Sequence, residues 1–157
     1  SQTVGTVTLS GFEGVKRRCE CIYDDGKVKV YDDFAHHPTA VKESLLGFKE
    51  NFSESCNDKR LVAILEPRSN TMRMNIHQDN LVDALKLADL VYIYIPKDLD
   101  WNSEALINGL DNCYCFRDTQ AMLDHYTGEI QDNDECVIMS NGGFDGVHKR
   151  LISVLEN

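Results

Sequence analysis

No Gly-x-x-x-x-Gly-Lys-[Ser/Thr] run occurs anywhere in the 157 residues, so a Walker-type phosphate loop is excluded. Gly14-Val15-Lys16 comes nearest, but a strand-like run follows it where that loop requires a helix. No Gly-x-Gly-x-x-Gly follows a first strand, which excludes a complete Rossmann-type oxidoreductase. Apolar residues never run to the ~20 needed to span a bilayer, and the first residues lack the charged-then-apolar pattern of a signal peptide. A cytoplasmic protein with no membrane contact is the expectation. Basic residues are outnumbered, and a net charge of −10 argues against nucleic acid, whose phosphates need clustered Lys and Arg. Lys16-Arg17-Arg18 is a basic spot sufficient for one anionic ligand.

Paired Cys-x-x-Cys knuckles are also missing. Cys19/Cys21 and Cys113/Cys115 are Cys-x-Cys pairs inside strand-like runs, a spacing that puts each pair on one strand face. Buried reduced thiols are therefore expected rather than zinc sites or disulfides. His77, His125 and His148 stand alone, as surface or capping residues, and no metal site is expected. Trp101 reads as a packing residue. With no internal repeat, low-complexity tract or flexible linker, residues 1–157 are expected to form a single domain. The chain opens at Ser1 without Met, as expected of a piece cut from something longer.

What the chain does have is a sharp corner at Val30-Tyr31-Asp32-Asp33-Phe34-Ala35-His36-His37-Pro38-Thr39. A β-rich run ends there, Pro38 fixes a helix-compatible φ, and Val41, Leu45 and Phe48 recur at helical spacing. Strands near Arg18–Tyr23 and Lys27–Tyr31, joined by Asp24-Asp25-Gly26-Lys27, read as an antiparallel hairpin. A helix over Thr39–Asn51 follows, then a polar loop from Ser53 to Lys59. The almost continuous apolar runs Arg60–Glu66, Leu90–Ile95 and Cys136–Met139 read as strands buried on both faces. Between them fall a helix carrying Leu81, Leu85 and Ala88, a short helix near Ser103–Leu110, the strand Cys113–Phe116 and a helix over Thr119–Tyr126. A helix over Gly146–Leu155 comes last. This alternation predicts an α/β fold: a Rossmann-like, mostly parallel sheet flanked by helices, preceded by the hairpin. In such a sheet, ligands bind at the carboxyl ends of the strands, which is where the Asp-Asp-Phe-Ala-His-His corner falls. Ser140-Asn141-Gly142-Gly143-Phe144-Asp145-Gly146 leaves the last strand at the same edge, with backbone amides able to face an anion.

Three segments resemble the carboxyl-terminal domain of the Mur ligases, ATP-dependent amide-forming enzymes of bacterial cell-wall synthesis. Leu9, Phe12, Gly14, Arg18 and Glu20 match its opening L-x-x-F-x-G-x-x-R-R-x-E signature. Tyr31 to Val41, YDDFAHHPTAV, resembles its nucleotide-contacting corner, and Leu65 to Met72, LEPRSNTM, resembles the peptide-adding, recycling branch of the family. The resemblance covers nearly the whole chain from Leu9 to the final helix. It implies the third domain of a three-domain cytoplasmic enzyme of a Gram-negative bacterium. That enzyme phosphorylates the muramate carboxylate of UDP-N-acetylmuramate with ATP and joins it to a murein tripeptide, L-alanyl-γ-D-glutamyl-meso-diaminopimelate. It also implies Arg18 on the ATP phosphates, Asp33, Phe34 and His36 at the nucleotide, and Arg68, Ser69 and Asn70 on the incoming peptide. Phe34 stands where the family more commonly has Tyr, which loses a hydroxyl and keeps a stacking face. Magnesium and most of the acylation apparatus are implied in the missing central domain and the sugar nucleotide on the missing amino-terminal one, so no catalytic residue is expected in this chain. Two other readings stay open: a non-catalytic α/β module for a nucleotide or anion, and the L-alanine-adding Mur ligase.

Overall fold

The structure, a computed structural model, describes residues 19–35, 38–55, 59–66, 78–95, 108–140 and 143–156. The hairpin forms where the turn residues dictate it. β1 (Glu20–Asp24) pairs antiparallel with β2 (Lys29–Asp33), with a register shift between Cys21 and Tyr23. Gly26 supplies the left-handed residue of the turn, at φ 88°. Asp24 Oδ1 accepts from Gly26 N at 3.0 Å, and Asp25 Oδ1 accepts from Val28 N at 2.8 Å and Lys27 N at 2.9 Å. The Val28 and Lys27 amides hold the Asp25 carboxyl below the usual carboxylate range.

Past α1 (Pro38–Ser55) the buried apolar runs become parallel strands: β3 (Arg60–Leu65), β4 (Leu90–Tyr94), β5 (Cys113–Phe116) and β6 (Asp134–Met139). They form one six-stranded sheet in the order β1-β2-β6-β3-β4-β5, antiparallel only between β1 and β2. β6, the last strand in sequence, lies between β2 and β3.

Strand alternation sorts the core into two layers. Leu61, Ala63, Leu65, Val137 and Met139 face α1 and α2 (Gln78–Leu85), which bring Val41, Leu45, Leu81 and Leu85. Val62, Ile64, Tyr92, Cys136 and Ile138 face α3 (Thr119–Glu129) and α4 (Val147–Glu156), which bring Met122, Tyr126, Val147 and Leu151. Each buried Leu, Ile, Val or Met among them contributes about 1.5–3 kcal/mol relative to exposure. Asp118 starts α3 by accepting from Ala121 N at 2.9 Å, a cap worth about 0.5–2 kcal/mol. Among the described residues no helix is long and apolar enough to cross a membrane.

Several boundaries differ from the sequence reading. α1 continues to Ser55 through a stretch expected to be loop, and α3 to Glu129 through Gly128. α2 ends at Leu85, which leaves Ala88 in the turn after it. β6 begins two residues early, at Asp134. Ser103–Leu110 lies mostly outside the described residues, and Trp101 and His77 wholly so.

The five described cysteines are free thiols, but they are not uniformly buried. Cys136 is fully enclosed, Cys19 and Cys115 are half-buried, and Cys21 is exposed. Burial, reinforced by the charge of Asp33, pushes the Cys19 thiol up to about 12. At pH 8, iodoacetamide should therefore alkylate Cys21 well before Cys136, whose thiol burial also raises. Peptide-resolved mass spectrometry reads the order, and equal native-state labelling of the two would contradict the enclosed β6.

Candidate functional site at the carboxyl edge of the sheet

The insertion of β6 creates a switch point. From β2 and β3 the chain turns to the α1/α2 layer, whereas from β6 it turns to the α3/α4 layer. The crevice at such a reversal is where open α/β sheets bind ligands. Asp33, Met139 and Leu65 are level across three adjacent strand ends, and Ser140 and Glu66 come one residue later on β6 and β3. Asp33, Ser140 and Glu66 are all buried, at 0%, 1% and 3% exposure.

Burial of polar groups is tolerated where they are hydrogen-bonded. Ser140 N donates to Asp33 O at 3.1 Å, and Glu66 N donates to Met139 O at 3.0 Å. The Ser140 hydroxyl donates to Glu66 Oε1 at 2.6 Å and ties the end of β6 to the end of β3. Asp33 Oδ1 accepts from Ala35 N at 2.9 Å, turning the chain toward α1. Asp32, on the opposite face of β2, lies with Oδ1 3.0 Å from Nε2 of His148 in the first turn of α4. His148 is thus an ion-pair candidate rather than an isolated residue. His125 likewise has a partner, with the Tyr92 hydroxyl 2.7 Å from its Nδ1.

The segment leaving β6 is strained. Phe144, Asp145 and Gly146 are all left-handed, at φ 51°, 53° and 69°. For the two non-glycine residues this costs about 1–3 kcal/mol each. Phe144 is buried and packs on Tyr94, with ring centroids 5.8 Å apart. Asp145 Oδ2 accepts from the Thr119 hydroxyl at 2.6 Å and from Arg150 Nη1 at 2.9 Å. Those contacts, the Thr119 bond foremost, hold the Asp145 carboxyl below the usual carboxylate range.

Of the residues singled out from sequence, Asp33 and Phe34 fall at this edge. Phe34 is 41% exposed. Arg18, His36, Arg68, Ser69 and Asn70 lie outside the described residues. Sequence reasoning did not single out Glu66, Phe144 or His148 as site residues. A carboxylate directly after the apolar run Leu61–Leu65 was the available signal for Glu66. Among the described residues no group of three or more His, Cys, Asp or Glu side chains is placed to hold a metal ion. At the opposite, amino-terminal edge a cleft of about 430 Å³ is lined by Lys59, Arg60, Asp89, Asn112, Tyr114 and Glu129. Its cations are already committed, Lys59 to Glu135 at 2.7 Å and Arg60 to Asp134 at 2.8 Å. The carboxyl edge is therefore the better candidate.

A mostly parallel sheet with helices on both faces and polar groups buried at its switch point defines an open α/β domain. The chain belongs to the Mur ligase family: residues 17–142 match the family model described as Mur ligase, glutamate ligase domain. It is 34% identical over 149 residues to the UDP-N-acetylmuramate--L-alanyl-gamma-D-glutamyl-meso-2,6-diaminoheptandioate ligase of Haemophilus influenzae. With the enzyme of that name from Escherichia coli it is 36% identical over 148 residues. Each alignment covers 94% of this chain and 32% of the relative. A crystal structure of a murein peptide ligase from Psychrobacter arcticus superposes with a TM-score of 0.79 at 41% identity, covering 96% of this chain and 32% of the other. The chain thus spans about a third of the length of the curated relatives it matches.

Proposed function

We propose that these residues form one domain, the carboxyl-terminal one, of a three-domain ATP-dependent ligase. The ligase joins UDP-N-acetylmuramate to L-alanyl-γ-D-glutamyl-meso-diaminopimelate during murein recycling in the bacterial cytoplasm. The likeness to the two curated tripeptide ligases over nearly the whole chain carries this reading, and it favours the tripeptide over free L-alanine as the amine. In this reading ATP transfers its γ-phosphoryl group to the muramate carboxylate and leaves as ADP, and the peptide amine then displaces phosphate from the acyl phosphate to form the amide. The domain contributes positioning. Arg18 offers a planar fork to the ATP phosphates. Phe34 offers a nucleobase a stacking face, with His36 beside it in sequence. Asp33 shapes that corner through its bond to Ala35 N. Magnesium is assigned to the rest of the enzyme.

Arg68, Ser69 and Asn70, which follow β3 in sequence, are assigned to the anionic peptide. Steady-state kinetics of full-length Arg68→Ala, varying tripeptide and ATP separately, test this. Losing a charge-assisted contact costs about 1.5–3 kcal/mol, roughly a ten- to hundredfold drop in kcat/KM for the tripeptide. Arg68→Lys should also be impaired, because an ammonium lacks the fork. A loss confined to ATP would place the peptide elsewhere. Wild-type turnover with L-alanine and none with the tripeptide would return the enzyme to the L-alanine-adding branch.

A further inference from the structure

The two Cys-x-Cys pairs are spaced alike in sequence but placed differently in the fold. Cys113 and Cys115 stand on one face of β5, level with Val91 and Ile93 of β4, in the apolar layer under α1 and α2. Cys113 is 9% exposed and Cys115 is half-buried. The Cys113 thiol donates to the Cys115 sulfur. That bond holds the Cys115 thiol below its usual range, whereas the same bond and burial push the Cys113 thiol up. At the other edge of the sheet Cys21 donates instead to Tyr23 O at 3.6 Å, and desolvation raises both Cys19 and Cys21.

Among the described strands β5 ends the sheet, four residues long and paired on one side only, to β4. Such a strand buckles more easily than one bonded on both sides. Residues two apart on a strand have Cα atoms about 6.6 Å apart, whereas a disulfide most often spans about 5.5–6 Å. A bond from Cys113 to Cys115 is therefore within reach, but it pulls the strand short. Strained disulfides are readily reduced, which suits a reversible modification and not a permanent crosslink.

We infer that Cys113 and Cys115 form a redox-active dithiol, a site of reversible exchange with a low-molecular-weight disulfide. Cys115 is the attacking thiolate. Its sulfur bonds to one sulfur of the oxidant, whose S–S bond breaks, and one thiolate leaves. Cys113 then gives up its proton and attacks Cys115 Sγ, which closes the intrachain bond and releases the second thiolate. The protons of the pair end on the two released thiols, so two cysteine thiols are oxidised as one small disulfide is reduced. Closure shortens β5, whose Tyr114 and Phe116 rings stack on Tyr92 from the opposite face, with centroids 5.6 and 6.1 Å away. Oxidation therefore loosens packing on both faces of the sheet edge. None of this chemistry depends on the ligase activity.

The test treats the folded full-length protein with oxidised glutathione near neutral pH and digests it with trypsin after free thiols are blocked. Cleavage after Lys97 and Arg117 isolates Cys113 and Cys115 on a peptide with no other cysteine. By mass spectrometry that peptide should lose two hydrogens without gaining a glutathione, and dithiothreitol should restore it. In Cys113→Ser the closing thiol is gone, so glutathione should stay on Cys115. In Cys115→Ser the Cys113 thiol should take up glutathione at least about tenfold more slowly than Cys115 does in Cys113→Ser. Oxidised wild type should melt below its reduced form, a shift that the double serine variant should not show. A wild-type peptide that keeps its hydrogens, or that carries a stable glutathione on Cys115, overturns the inference. So does equal uptake at the two thiols, or an oxidised form that melts no lower than the reduced one. The wild-type mass measurement needs no substitution, so it decides the question even where a serine variant fails to fold.

Discussion

Arg60→Ala should lower the free energy of unfolding by about 3–5 kcal/mol, the cost of leaving a buried charge without its partner. Asp134, the first residue of β6, is completely enclosed. Its carboxylate accepts from Arg60 Nε and Nη2, both at 2.8 Å, from the Tyr126 hydroxyl at 3.0 Å and from Gln131 N at 3.1 Å. Arg60 Nη2 also donates to Glu129 O at 2.9 Å, so one guanidinium joins β3, β6 and the end of α3. The Asp134 carboxylate in turn holds the guanidinium proton more tightly than usual. Removing Arg60 leaves only the Tyr126 hydroxyl and the Gln131 amide as donors to the Asp134 carboxylate. Arg60→Lys keeps the charge but not the fork, and should fall between wild type and alanine. Lys86→Ala is the contrast, since Lys86 and Asp83 are exposed and 3.8 Å apart; it should change stability by less than about 0.5 kcal/mol. Urea denaturation of the three variants reads the difference. A loss below about 1 kcal/mol for Arg60→Ala would mean that Asp134 is solvated in the folded protein.

That ion pair also explains where the sequence was legible and where it was not. Leu61–Leu65, Leu90–Tyr94 and Val137–Met139 are strands buried on both faces, and burial on both faces leaves a continuous apolar run that a local pattern can register. Asp134 and Glu135 belong to the same kind of strand, but their partners Arg60 and Lys59 lie 74 and 76 residues away. Charged residues whose compensation is that distant look like loop. The same limit hid the site. The Asp-Asp-Phe corner was visible as a strand end, because its turn chemistry is local and Asp33 bonds Ala35. Nothing local says that β6 inserts between β2 and β3, and only that crossover brings Ser140 to Glu66 and His148 to Asp32. The overrun of α1 to Ser55 has a different origin: Ser53-Glu54-Ser55 is polar, and polarity alone does not end a helix without a glycine or proline to break it.

Phe144→Ala is the second large effect, an expected loss of about 3–5 kcal/mol from deleting a buried ring. From sequence Phe144 was one letter in a glycine-rich loop, read for its backbone amides. In the fold its side chain is 1% exposed and packs in the layer with Tyr94, Val147 and Leu151. The ring drives the chain to accept φ 51° at this residue, since burying it outweighs the cost of the left-handed backbone. Alanine there keeps the unfavourable backbone and gives up the burial. The loop should then relax toward ordinary φ, carrying Asp145 away from Thr119 and Arg150. Phe144→Leu retains most of the apolar volume, so it should lose about half as much or less. Denaturation midpoints give the stability order. If Phe144→Ala kept wild-type stability, the buried ring would not be what fixes the left-handed turn, and the strain would have to be balanced by the Arg150 network by itself.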